Sequence, residues 1–428
     1  MSTRCLVYAL ALALNVMPGA AAAEKVALTA AHWVDVESGK LRDNAVIIVD
    51  GERIAEVRND GHVPEGMRRI DAGDVTLLPG FIDCHVHIAS QSGDFYVNHF
   101  RRSAIDRAVG AHLFARRTLD AGFTTVRSLG SDEFIDVALR NAIDRGEVVG
   151  PRIVAAGIAL GSTGGHADDG TGFSPYLHND GFSGIADGVD VIRAKVRFDV
   201  KHGADVIKFM ASAGVLSEEE SVGAPQYSQD EMNAVVDEAH RWGRKVAAHA
   251  HGTEAIKMAV RANVDSIEHG SMLDDEAIAL MKQHGTWLVA DIYNDDYILA
   301  EFSRMGYPDT MIEKERKIGR VQRESFRKAV RAGVRIAYGT DAGVYPHGDN
   351  GKQFAKMVEW GQTPIQAIRA ATLSAAELLG RSDRIGAIRA GLYADIVAVE
   401  GDPLTDVSRL EHVVLVMKNG TVEKSNHP

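Results

Sequence analysis

At 428 residues, 45% of them apolar, the chain can bury a large core, with room for one large α/β unit and a smaller companion. A formal net charge of -12 argues against a nucleic-acid or anionic-membrane partner, since both need clustered Lys and Arg. The ligand class left by these bounds is a small molecule or a dipeptide.

Residues 1–23 read as a targeting segment. Arg4 supplies the positive start, residues 5–16 an apolar stretch shorter than the roughly 20 residues of a membrane span, and Ala21-Ala22-Ala23 a small-residue cleavage site before Glu24. The mature chain, starting near Glu24, is expected to be periplasmic or secreted and free of the membrane. Only Cys84 survives cleavage, so no intramolecular disulfide can form. Lying between Asp83 and His85, Cys84 reads as a small buried hydrophobe rather than a ligand.

Residues 24–78 hold short alternating runs, 45–49 and 54–57, with turn signals at Asp50-Gly51 and Asp60-Gly61. Residues 381–428 return to that style with runs 394–399 and 413–417 before Asn419-Gly420. The two stretches are expected to build one small β-sandwich from both chain ends.

Between them, residues 79–380 alternate strand and helix patterns. The strand-like runs are 81–88, 124–129, 152–156, 205–210, 245–250, 266–269, 287–292 and 335–339; helical periodicity separates them, as at 228–242, 254–262 and 275–284. Eight such units fit a (β/α)8 TIM-like barrel, usually on the order of 250 residues, with a doubly wound open sheet as the alternative. Two insertions, 157–184, rich in Gly, Ser and Asp, and 211–227, with Glu218-Glu219-Glu220, are candidate lids.

His85-Val86-His87 ends the first run, and alternate residues of a strand share a face, so both imidazoles can grip one ion. Lys208, His249, His269 and Asp341 each end a later run. Only a closed barrel brings all these strand ends to one mouth.

Several motifs carry a resemblance that covers essentially the whole mature chain. They are Leu78-Pro79-Gly80-Phe81-Ile82-Asp83-Cys84-His85-Val86-His87, His249-Ala250-His251-Gly252, Ile267-Glu268-His269-Gly270 and Gly339-Thr340-Asp341-Ala342, with Ala394-Asp395-Ile396-Val397 and Val416-Met417-Lys418-Asn419-Gly420 in the flanks. The sequence resembles the amidohydrolase superfamily, in its imidazolonepropionase-like branch that includes exported Xaa-Pro dipeptidases and ochratoxin-hydrolysing amidohydrolases. The resemblance implies two divalent ions, for which His and carboxylate donors suit zinc best. His85, His87 and Asp341 would hold one ion and His249 and His269 the other. Lys208 would add carbon dioxide to become N6-carboxylysine, a bridging carbamate in place of a cation that two metals would repel. The competing reading of Lys208 is a side chain snorkelling into water.

His251 competes with His249, since both would lie on one strand face; the resemblance places the ligand at His249 and leaves His251 behind the ligands or at the entry to the next helix, as a candidate substrate contact. Asp341 would also take a proton and pass it to the leaving amine. His166, in Gly161-Ser162-Thr163-Gly164-Gly165-His166, corresponds to a histidine that contacts substrate, and Tyr227 to a tyrosine that helps hold a carboxylate. An ordinary packing Tyr is the other reading of Tyr227.

The function implied is hydrolysis of the amide to a C-terminal amino acid in dipeptides or N-acyl amino acids, ochratoxin A among them. A cyclic-amide hydrolase of the imidazolonepropionase type and a non-catalytic scaffold are the alternatives. Relatives often assemble as rings of eight, so a homo-oligomer is expected.

Overall fold

The computed structural model describes residues 25–426 apart from 169, 170, 173, 175, 177–181 and 220, so the expected targeting segment lies outside the described residues. The amino-terminal part forms β1 (Val26–Asp35), β2 (Lys40–Asp50), β3 (Arg53–Arg58), β4 (Arg68–Asp71) and β5 (Thr76–Pro79). The middle carries β6 (Phe81–Val86), β7 (Phe123–Ser128), β8 (Arg152–Ala155), β9 (Val206–Met210), β10 (Lys245–Ala250), β11 (Ser266–His269) and β12 (Trp287–Val289). Three more strands close the chain, β13 (Ile396–Val399), β14 (Val413–Lys418) and β15 (Thr421–Ser425).

Alternation decides how β1 sits. Val26, Leu28 and Ala30 face a core shared with Ile47, Leu77, Ile396 and Met417, whereas Ala27 packs with Val46 and Ile48 on the other face. Both chain ends therefore share one sheet, ordered β15-β14-β13-β5-β1-β2-β3 with β4 also on β1. The branch arises because β1 pairs with β4 through Val26 to Thr29 and with β5 only at His32 and Trp33. Hydrogen bonding thus joins the two chain ends as a single branched sheet.

A single apolar run from residue 77 onward is split into β5 and β6 at Gly80. Its N–H donates to the Asp395 carbonyl at 2.8 Å, and a Cβ there would sit 2.2 Å from Thr124 Oγ1. The chain passes at that point from the mixed sheet into the parallel middle.

The middle strands form two parallel sheets, β6-β7-β8 and β12-β11-β10-β9. Parallel bridges Leu160↔Phe209, Leu288↔Ile336 and Val86↔Ala342 link their edges. The expected eighth strand at 335–339 is reduced to such bridges. Tyr338 accepts from the Cys84 N–H at 2.8 Å but sends its own N–H to Ala370, so no regular ladder can run through it.

Helices fill the connections where periodicity placed them. The helix Gln229–Arg241 starts at a Ser228–Glu231 capping box and buries Met232, Val235, Val236 and Ala239 on one face. No helix among the described residues is long and apolar enough to cross a membrane.

Candidate metal centre

All six residues of β6 are buried, and its alternation turns Asp83 and His85 one way while Ile82 and Cys84 enter a separate apolar cluster. Cys84 is buried and its thiol is raised out of the reactive range by burial, as expected of a packing residue. His87 lies one residue beyond the strand. Asp341 reaches across from the far end of the chain, its Oδ1 3.4 Å from His85 Nε2 and 3.1 Å from His87 Nε2.

Asp83 holds these two segments in register. Its carboxylate accepts from the N–H groups of His85 and Thr340, both at 3.1 Å, from Thr340 Oγ1 at 2.6 Å and from Asn350 Nδ2 at 2.8 Å. Burial pushes Asp83 up to about 7 against the pull of those donors. Asp341 itself takes a left-handed φ of 55°, unusual for a side chain with a Cβ and fixed here by its N–H bond to the His85 carbonyl at 2.7 Å. Burial would raise its carboxyl, but His85, His87 and His269 hold it well below the ordinary range.

The second group stands at the ends of β10 and β11. The His249 ring lies 4.7 Å from that of His251 and 4.5 Å from that of His269, and the His85 ring is 5.2 Å from His269, so the groups adjoin. His269 Nδ1 donates to Asp291 Oδ1 at 2.8 Å, which fixes the ring and leaves Nε2 for another partner. Burial alone would lower His269, yet Asp291 raises it. His251 Nδ1 is 2.7 Å from Ser271 Oγ, whereas His249 Nε2 is buried with no hydrogen-bond partner. Burial drives both His249 and His251 well below the usual histidine range, so both are neutral lone-pair donors.

Among the described residues, three sets of donors could each hold an ion: His85, His87 and Asp341; His249, His251 and His269; and His269, Asp291 and Asp341, with the atoms of each set within 4.8 Å of one another. Imidazole and carboxylate donors of this kind, with an orphaned His249 nitrogen among them, fit a divalent first-row ion. The geometry admits His251 as well as His249. Lys208, on β9, is 1% exposed and does not snorkel. Burial lowers its amine to about 8, against the pull of Glu268 and Asp341.

His166 is brought to the second group, its ring stacked on His249 at 4.3 Å and its Nδ1 2.6 Å from Ser217 Oγ. Burial pushes it down to about 4. A cavity of about 580 Å³ is lined by His87, His166, Met210, Arg107 and Asp132 among others. Tyr227 is not part of it. Its side chain is 3% exposed, and its hydroxyl donates to the Ala186 carbonyl at 3.0 Å, which ties the segment just past the 157–184 insertion to the core.

Sequence reasoning passed over Asp291 and the pair Arg127–Glu268. Asp291 also accepts from Gln322 Nε2 at 2.7 Å and Asn294 Nδ2 at 2.6 Å, and Asn294 reaches Asp341 Oδ2 at 3.2 Å. Arg127, fully buried, donates to Glu268 Oε1 at 2.8 Å, and Glu268 Oε2 lies 3.2 Å from His85 Nδ1. A lone carboxylate inside the apolar run 287–292 was the available signal for Asp291.

The model of the amidohydrolase family matches residues 76–422. An ochratoxinase of Aspergillus niger is 32% identical over 424 residues, covering 94% of this chain and 87% of that protein. A solved Xaa-Pro dipeptidase with methionine bound in its active site superposes with a TM-score of 0.90 at 37% identity, covering 94% of this chain and all of the other, 100%. A prolidase complexed with N-methylphosphonate-L-proline gives a TM-score of 0.86 at 33% identity over 94% and 100% of the two chains.

Proposed function

We propose, from the premise that this chain belongs to the amidohydrolase family and is a hydrolase acting on amide bonds, that it is a binuclear metal-dependent enzyme releasing a C-terminal amino acid from dipeptides or N-acyl amino acids. The observation that carries this reading is the convergence of His85, His87 and Asp341 with His249 and His269 beside a fully buried lysine. On this reading the two parallel sheets and the 335–342 segment close as a (β/α)8 barrel with the site at the carboxyl ends of its strands.

Lys208 supplies the bridge. An amine lowered to about 8 is neutral in part near physiological pH, and its lone pair adds to carbon dioxide, the amine losing one proton and the product carrying one negative charge. Divalent ions, zinc in the first instance, polarise the scissile carbonyl and make water a nucleophile near neutral pH when bound. Asp341, ionised at neutral pH, accepts the proton from water and returns it to the leaving nitrogen, while the Asn294 amide fixes its second oxygen. His166 and His251 face the substrate, His166 at its carboxylate or at the developing oxyanion.

The ochratoxinase and the prolidase bound to a proline phosphonate support an amide whose leaving group is an amino acid. A ring-opening imidazolone hydrolase would leave the buried amine of Lys208 without a task, and a non-catalytic scaffold would leave the whole donor set so. Export to the periplasm or medium and assembly as a homo-oligomer, a ring of eight, complete the proposal.

The test is a library of dipeptides and N-acyl amino acids offered to the zinc-loaded mature protein. Turnover that disappears with a chelator and returns with zinc is expected. No turnover of any member would overturn the reading.

A further inference from the structure

The long helix Asp309–Ala332 carries Glu313-Lys314-Glu315-Arg316, which reads as a solvated charged face, yet Lys314 is 7% exposed. Its ammonium donates to three carbonyls of one loop, Gly214 at 2.9 Å, Ser217 at 2.6 Å and Glu219 at 3.0 Å. An ammonium has three donors, so all are spent on this loop.

The pinned loop cradles His166, which comes from a different insertion. Ser217 Oγ is 2.6 Å from His166 Nδ1, and Gln226 Oε1 accepts the His166 N–H at 2.9 Å. Glu219 Oε1 accepts from the Gly214 N–H at 3.1 Å and from Gln226 Nε2 at 3.4 Å. Gly214 is glycine for contact, since a Cβ there would sit 2.2 Å from His166 Cε1. The imidazole also stacks on His249. The loop and the metal-centre histidine thus hold the ring, while Gln226 holds the His166 backbone.

The hydrogen-bond order selects a tautomer. A substrate carboxylate or oxyanion requires an N–H at Nε2, and that tautomer makes Nδ1 the acceptor of the Ser217 O–H at 2.6 Å.

We propose that Lys314 is a positioning residue: by fixing the 214–219 loop it holds Ser217 against His166 Nδ1 so that His166 presents its Nε2–H to the substrate. The inference rests on the reading that His166 contacts substrate. It adds the device that orients this histidine.

The experiment compares wild type, Lys314→Met, Ser217→Ala, His166→Ala and the double variant Lys314→Met/His166→Ala as zinc-loaded enzymes. The tautomer is read by ¹⁵N NMR of histidine-labelled protein, with His166→Ala giving the assignment, and kcat/KM is measured on the library member that wild type turns over fastest. A single Nε2–H tautomer in wild type that becomes mixed in Lys314→Met and Ser217→Ala is expected. Misplacing a reacting group by about 1 Å costs on the order of 100-fold, so kcat/KM in Lys314→Met falls by about 10- to 100-fold. The double variant falls no further than His166→Ala, and metal content stays at the wild-type level. An unchanged tautomer in both single variants, or a Lys314→Met loss that adds fully to that of His166→Ala, overturns the proposal. Undiminished turnover by His166→Ala instead sinks the reading of His166 as a substrate contact, while the tautomer result still reports on the cradle.

Discussion

Lys208 is the residue whose chemistry is hardest to replace. A buried cation beside a metal pair would be repelled, whereas a carbamate is attracted, so Lys208→Ala is expected to lose metal and activity together. Short carboxylic acids supplied in the buffer should restore part of both, and full activity without them would refute the bridging assignment. Asp341→Asn should separate the functions, keeping much of its metal while turnover falls, because the amide cannot accept the proton. Asp291 acts one step back, through His269 Nδ1. Asp291→Asn is expected to weaken metal binding by about 10- to 100-fold, measured by competition with a chelating dye; unaltered affinity would show that His269 needs no such partner.

Elements that rest on local pattern were legible from sequence, and those that rest on distant partners were not. The helix Gln229–Arg241 begins where Ser228 and Glu231 announce a capping box, and β6, β9 and β10 follow buried apolar runs. His85, His87, Lys208, His249, His269 and Asp341 were visible because each lies within or just beyond such a run. The irregular 335–342 segment was hidden, since Thr340 is captured by Asp83, 257 positions away. Lys314 was hidden by charged neighbours, and nothing local to Tyr227 reveals its acceptor at Ala186.

A pH prediction belongs to the elements around the 157–184 insertion. Asp136, on the helix Ile135–Asp144, accepts the Gly157 N–H at 3.1 Å and is pushed up to about 7, mainly by burial. Asp199, on the helix Val189–Lys201, is pushed up to about 8 by burial and by Asp136. Folding therefore favours the protonated acids: their contribution is whole below about pH 4, the unfolded range, and is lost as pH climbs through 7 and 8. Asp199→Asn should raise Tm relative to wild type at pH 9 and progressively less toward pH 5. A pH-independent difference would contradict the assignment.

At the scale of the molecule, the two chain ends brace the middle. Arg152, on β8, pairs with Asp395 at 2.8 Å and reaches Asn419 Oδ1 at 2.5 Å, while Gly80 hands its N–H to the Asp395 carbonyl. Arg152→Ala would leave the Asp395 carboxylate buried without its counter-charge, at a cost of about 3 to 5 kcal/mol, read as a fall in the unfolding midpoint. An unshifted midpoint would mean that the sheet and the parallel middle are held by apolar packing alone.

The central claim is that donors spread over most of the chain clamp two ions around a modified lysine. Anomalous diffraction at the zinc edge from crystals of the zinc-loaded mature protein tests it most directly. Two peaks are predicted, one among His85, His87 and Asp341 and one at His249 and His269, with electron density continuing past Lys208 Nζ into a carboxyl group. A single peak, peaks elsewhere, or a Lys208 side chain that ends at its nitrogen would contradict the account.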